Sequence, residues 1–334
     1  MKGIRRRGEA GGGWIALWLL MSLPGGTQAA PPITALAFAP DGHTLVVGSQ
    51  AGLRLLALSD LQTPTASWEG LPPAIHDVQF SASGDRLSVA GGIPGETGRV
   101  ILFDWPARGR LWDREDAADV VYAVDWSGDG RQLATASHDG LGRVLSADDG
   151  GVAQRLRGHS AGLVDVTWVD DQQVLTASRD ATLRLWEAAT GTLVRTFNNH
   201  VGSLTGVVRR PAEVGQRLPL VSSIGVDRTV RFWQPSIGRL VRFLRLETAR
   251  PVTAVWLPGG DRLLVGTTAG EVLLIDPVAT TSEQTWELAP PGEDMWITAL
   301  AVDSDGRRMV AGDSRGRLHS VMLAKGVALE KSIP

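Results

Sequence analysis

Cysteine is absent from the 334 residues. That excludes disulfides, thiolate catalysis, iron–sulfur clusters, cysteine-ligated zinc, covalently attached haem and a lipid-modified cysteine anchor. Lysine is nearly absent as well: only Lys2, Lys325 and Lys331 occur, so almost all positive charge is arginine. Tyr122 is the single tyrosine, against 12 tryptophans. A basic excess is also lacking. The formal charge is −3, which argues against a strongly basic nucleic-acid binder. After residue 30 no stretch keeps a helical period for three turns. No apolar run there approaches the ~20 residues of a membrane-spanning helix. Forty glycines and 18 prolines oppose a helix-rich fold further.

The first 29 residues read as a secretory leader. Lys2, Arg5, Arg6 and Arg7 precede an apolar run from Trp14 to Leu23, broken by Pro24-Gly25-Gly26 and followed by the small residues of a cleavage site near Ala29. An uncleaved anchor is the alternative. Cleavage would remove four basic residues and one acid, leaving a mildly acidic chain with no membrane span.

The remainder, residues 30–334, reads as one unit repeated seven times. Each copy has an apolar strand ending in an aromatic or aliphatic residue, a tight turn, and a second apolar strand. The turn positions are Gly42, Gly84, Gly130, Asp171, Gly215, Gly260 and Gly306, spaced by 41 to 46 residues. Within the fourth copy four short strands are legible: 163–168, 174–178, 182–186 and 193–197. Four strands recurring every ~40–45 residues predict an all-β, seven-bladed β-propeller of antiparallel blades. The blades fall at about 32–72, 73–116, 117–160, 161–200, 201–247, 248–290 and 291–334. Ala30-Pro31-Pro32 makes a poor ladder strand. Gly326–Glu330 is therefore expected to complete blade seven.

The fourth copy resembles the WD-repeat family through Gly158-His159, Ser178, Asp180 and Trp186. The fifth resembles it through His200, Asp227 and Trp233, departing at Gly225 where the family has serine. The third keeps Ser137 and Asp139 but has Leu145 for the tryptophan. Leu56, Phe103, Leu274 and Ser320 are read into the tryptophan slot elsewhere, and those blades are expected to hold by apolar packing alone. The resemblance implies a hydrogen-bonded series from histidine to aspartate and serine, ending at the tryptophan. It implies little about activity, because the fold hosts many functions.

Candidate chemistry is sparse. His159 and His200 are accounted for by the blade motif. His43 lies in a turn, and His76 beside Asp77 has no second histidine at ligand spacing. Asp148-Asp149 and Asp170-Asp171 suit turns. Gly91 to Gly98 reads as an inserted loop rather than a phosphate cradle, since no helix follows. No nucleophile elbow appears. Catalytic, cofactor and metal residues are therefore not assigned. Trp126, Trp168 and Trp256 end first strands. Trp68, Trp112 and Trp286 are placed opposite Phe197 in fourth strands. Trp105 and Trp296 remain over.

Together these readings predict a non-enzymatic, secreted or periplasmic scaffold: a monomeric ring that presents loops to a protein or peptide, without nucleic acid or cofactor. Trp296 is the expected contact anchor, with Glu293, Asp294 and Arg99 as charged neighbours. The alternative is a lactonase-like or quinoprotein-like propeller using its central channel. That would need polar side chains at one mouth, whereas first strands such as 33–38, 252–256 and 297–302 look apolar.

Overall fold

The computed structural model describes residues 30–68, 70–211 and 218–323. The expected leader, the turn at Gly215 and the strand Gly326–Glu330 lie outside the described residues. Seven antiparallel sheets follow one another along the chain. Blade one holds β1 (Ile33–Phe38), β2 (Thr44–Ser49), β3 (Gly52–Ala57) and β4 (Asp60–Ser67). Blade two holds β5 (Ala74–Phe80), β6 (Arg86–Ile93), β7 (Thr97–Asp104) and β8 (Arg110–Ala117). Blade three holds β9 (Val121–Trp126), β10 (Gln132–Ser137), β11 (Gly142–Ser146) and β12 (Val152–Leu156). Blade four holds β13 (Leu163–Trp168), β14 (Gln173–Ser178), β15 (Leu183–Glu187) and β16 (Thr192–Phe197). Blade five holds β17 (Leu204–Arg209), β18 (Val221–Gly225), β19 (Thr229–Gln234) and β20 (Arg239–Arg245), with one 3₁₀ turn at Pro235–Ile237. Blade six holds β21 (Pro251–Trp256), β22 (Leu263–Thr267), β23 (Glu271–Asp276) and β24 (Thr281–Glu287). Blade seven has three strands among the described residues: β25 (Ile297–Val302), β26 (Arg308–Asp313) and β27 (Leu318–Met322). The molecule is a seven-bladed β-propeller.

Local chemistry explains the hairpins. In the first, Gly42 takes φ 68° and the Asp41 carboxylate accepts the amides of His43 and Thr44 at 2.8 Å. Aspartate followed by a left-handed glycine gives a tight reversal that few other pairs supply. The stretch from Gly91 to Gly98 is not a loop. It lengthens the β6–β7 hairpin, leaving only residues 94–96 as turn. A Cβ on Gly91 would stand 2.0 Å from the Ala74 carbonyl, and one on Gly98 would stand 2.1 Å from that of Asp119. The glycines there permit close strand approach.

There is no single core. Each apolar cluster sits in a seam between neighbouring blades. Between blades two and three, Trp112 lies with Val124, Trp126 and Leu145, and its indole donates to the Ala147 carbonyl at 3.0 Å. Trp105 fills the first seam, edge-on to Phe80 at 5.1 Å. Ile33, Leu45, Ala299 and Val310 close the ring between blades seven and one. Glycines let blades approach: a Cβ on Gly48, Gly266 or Gly312 would strike the first inner-strand isoleucine of the next blade, Ile75, Ile297 or Ile33. Trp112 stands at the opposite end of its strand from Phe197, pairing Leu102 whereas Phe197 pairs Leu183.

Candidate functional site at the mouth of the central channel

The seven first strands line a central cavity of about 690 Å³. Because strands alternate in direction, their starting ends share one face with the links between blades and with the turns after each second strand. Each first strand carries a bulge near that end. The unpaired residues are Thr34, His76, Tyr122, Val164, Thr205, Val252 and Thr298. A bulge re-aims its side chain, and all seven residues lie on the channel wall. Nothing in the local sequence marks them, because a bulge is a property of pairing.

Three of these residues stitch the ring. Thr34 donates to the Ile75 carbonyl, Thr205 to Pro251 at 3.0 Å, and Thr298 to Ile33 at 2.5 Å, each in the next blade. On the other arc, carboxylates do this work. Asp77 accepts the Val124 amide at 2.9 Å. Asp125 accepts Trp168 at 2.8 Å and the Thr167 hydroxyl at 2.9 Å. Asp165 accepts Val207 at 2.8 Å. Burial pushes Asp77 up to about 7, with Asp125 adding repulsion. Burial pushes Asp165 up to about 8, again with repulsion from Asp77 and Asp125. Burial raises Asp125 too, although Arg209 opposes the shift. The channel is therefore more polar than its apolar-looking strands imply.

Around the mouth on that arc, rings gather. His76 meets Tyr122 edge-on at 5.0 Å, and Tyr122 meets His138 at 5.7 Å. The Arg179 guanidinium lies 5.6 Å from the Tyr122 ring centre and donates to His138 Nε2 at 3.1 Å. His138 Nδ1 then faces the Asp119 carboxylate at 2.8 Å, so its proton sits on that nitrogen. Burial holds His76 down to about 4, leaving it neutral.

The blade motif is present but wired differently from the expectation. His159 Nδ1 donates to Asp180 at 2.8 Å, and Nε2 meets Thr176 Oγ1 at 2.8 Å. The Trp186 indole donates to that same hydroxyl at 2.9 Å. The middle member is thus Thr176. Ser178 instead donates to the carbonyls of Ala161 and Gly162. Blade five repeats the pattern with His200, Asp227, Ser223 and Trp233. Ser223 stands where Thr176 does, and Gly225, at the position of Ser178, lies outside the series. In blade three Asp139 pairs with Arg143 at 2.7 Å, and Ser137 donates to the Asp119 carbonyl. Pairing places Ile275 and Val321, not Leu274 and Ser320, opposite the position that Trp186 faces. Blade seven does not rely on apolar packing alone. Its buried Asp313 accepts from Arg317 Nε at 2.7 Å and faces His319 Nε2 at 2.9 Å.

Three repeats match the sequence profile "WD domain, G-beta repeat", at residues 18–54, 114–145 and 150–187. Those three segments are similar to WD40 repeats. Similar proteins include "Protein HIR1" of Mycosarcoma maydis, 26% identical over 237 residues covering 64% of this chain and 22% of that protein. "Actin-interacting protein 1" of Drosophila melanogaster is 28% identical over 177 residues, covering 50% and 28%. "Echinoderm microtubule-associated protein-like 2" of Rattus norvegicus is 33% identical over 160 residues, covering 46% and 24%. The chain spans about a quarter of the length of these relatives, all of them eukaryotic.

Trp296, Glu293 and Asp294 come together on the link into blade seven of the ring. Trp296 is 47% exposed, anchored by its amide to Ser314. Glu293 is paired with Arg315 at 2.8 Å and Arg317 at 3.1 Å, and the Asp294 carbonyl accepts from Arg315. Arg99 lies in blade two, bonded to Asp113 at 2.7 Å, and does not join them. A second exposed apolar residue on the same face belongs to no motif of the sequence. Val201 is 89% exposed, its amide fixed by Asp227 at 3.1 Å. Among the described residues no helix is long and apolar enough to cross a membrane.

Proposed function

We propose that the protein is an extracytoplasmic interaction scaffold whose channel-mouth face engages a protein or peptide partner. WD40 propellers generally bind protein partners. The observation that carries the reading is the pair of exposed apolar residues, Trp296 and Val201, held by hydrogen bonds on one face of a rigid ring. Solvent-exposed tryptophan at a fixed loop position makes an efficient anchor. The leader composition of residues 1–29 supports export.

The test is capture by the immobilised protein from its own envelope fraction. Trp296→Ala is expected to weaken capture about 30-fold or more, because an anchor tryptophan carries ~2–4 kcal/mol. Val201→Asp acts in the same direction. Val278→Asp, on the opposite face and 66% exposed, leaves capture intact. Loss in Val278→Asp alone would place the partner on the other face. Export is checked by the N-terminus of the envelope protein: Ala30 supports it and Met1 refutes cleavage.

A further inference from the structure

Among the described residues, the outer edge of β27 has no strand beside it, whereas a fourth strand covers the third in the other six blades. One position shows the effect. Leu55, Leu102, Val144, Leu185, Phe232 and Leu274 pair with the same point of the second strand in their blades, and all are buried. Ser320 is the seventh member and is exposed. Met322, at the end of β27, is 62% exposed. Such an edge offers backbone N–H and C=O groups to an incoming strand.

A cavity of about 330 Å³ lies in the seam between blades six and seven, lined by Leu257, Leu274, Gln284, Trp286 and Leu323. Other seams show what fills this place. Trp112, Gln154, Arg195 and Gln284 share one register position in their fourth strands. A turn glycine of the next blade packs on each of the first three: Gly150 on Trp112, Gly191 on Gln154 and Gly238 on Arg195. Each glycine follows the last residue of its third strand by four positions, at φ 69°, 69° and 72°. The same count from Met322 reaches Gly326. In the register of blade four, residues 327–332 then lie along β27.

A second segment reaches the same edge. Ala30 stands against Gly316 of blade seven as Ala289 stands against Gly270 of blade six. Ala289 follows β24 by two residues, so Ala30 occupies the place where the chain leaves a fourth strand. Counting back in that register lays residues 22–28 along β27. Pro24 would interrupt the ladder there and Gly25-Gly26 would weaken it. Residues 327–332 contain neither proline nor glycine.

We propose that the edge of β27 and the adjoining cavity receive the C-terminal segment 324–332, and that a leader still joined to Ala30 competes with it. Gly326 sits against Gln284 in the cavity, and removal of the leader lets the ring close. The competition rests on the export reading above; the docking does not.

The chain has no cysteine, so an introduced pair reports the register. By analogy with Leu185 and Arg195, residue 320 faces residue 330. Opposed Cβ atoms come within disulfide reach, whereas the next residue points to the other side of the sheet. Two chain lengths are compared: the full chain in neutral detergent, and a chain begun at Ala30, which keeps all seven described sheets. In the shorter chain, Ser320→Cys with Glu330→Cys is expected to form an intramolecular disulfide at least tenfold faster than Ser320→Cys with Lys331→Cys. In the full chain the in-register rate is expected to fall at least tenfold. Equal rates in the two registers, or disulfides only between molecules, overturn the docking. Equal rates in the two chain lengths overturn the competition. Should a cysteine pair fail to fold, hydrogen exchange along β27 of the shorter chain decides: protection lost on deleting 324–334 supports the docking, and unchanged exchange overturns it. If the envelope protein keeps Met1 while the register preference holds, the export reading falls alone. If it begins at Ala30 and the registers react equally, the docking falls alone.

Discussion

Ser223 shows how much one hydroxyl decides. It receives the Trp233 indole at 2.9 Å and meets His200 Nε2 at 2.7 Å. The other imidazole nitrogen faces Asp227 at 3.0 Å, so polarity runs from indole through hydroxyl and imidazole to carboxylate. Ser223→Ala leaves an indole N–H and an imidazole nitrogen buried without partners. At about 1–3 kcal/mol for each orphan, the expected loss is about 2–6 kcal/mol in denaturant unfolding. A loss below about 0.5 kcal/mol would show that the series contributes little. Sequence spacing made the histidines, aspartates and tryptophans legible, since they flank turns at fixed offsets. The hydroxyl between them is less legible: the spacing points to Ser178, although Thr176 stands there, because any small polar residue near the end of the second strand satisfies it. His319 and Asp313 are invisible to that spacing for a related reason: their pairing replaces the motif rather than repeating it.

At the scale of the strand, the period and the hairpins were readable because turn aspartates and glycines recur with little change in spacing. The bulges were not. All seven first strands skip one residue in pairing; the skipped residue is a stitch in three blades, a ring at the mouth in two, and a valine, Val164 or Val252, in the other two. Val252 suggests an experiment. Thr34, Thr205 and Thr298 occupy the same position in other blades and each bonds the next blade's first inner-strand carbonyl. Val252→Thr should therefore offer its hydroxyl to the Ile297 carbonyl. The shapes are close, so the gain is one hydrogen bond, about 1 kcal/mol, read as a higher urea midpoint with unchanged slope. A lower midpoint would mean that the lost methyl contact outweighs the bond.

Across the whole ring, two sets of buried groups pull stability in opposite directions with pH. His200, kept neutral by burial, does not take a proton until about pH 4, whereas the unfolded chain takes it near 6.5. Between those values the unfolded state holds more protons, so acidification weakens the fold. Asp77 and Asp165 do the reverse. Folded, they keep their protons up to about 7 and 8, while the unfolded chain releases them near 3.8. Over that interval the folded state holds more protons, so stability falls as pH rises. Below pH 6.5 the two sets oppose each other. Above it only the carboxylates still titrate, and stability is expected to decline from pH 6.5 to pH 9. These carboxylates escaped the sequence because their partners are backbone amides of the next blade, which no pattern of side chains reveals. Asp165→Asn tests the account directly. It removes the charge while keeping an acceptor for the Val207 amide at nearly the same place. The variant should gain at least about 1 kcal/mol over the natural chain at pH 9, given that one pKa unit is worth ~1.4 kcal/mol. At pH 5 the gain should be clearly smaller than at pH 9, and it should vanish only below about 3.8, where the unfolded chain also holds the proton. An equal shift at both pH values would assign the effect to altered hydrogen bonding and remove the carboxylate charge from the explanation.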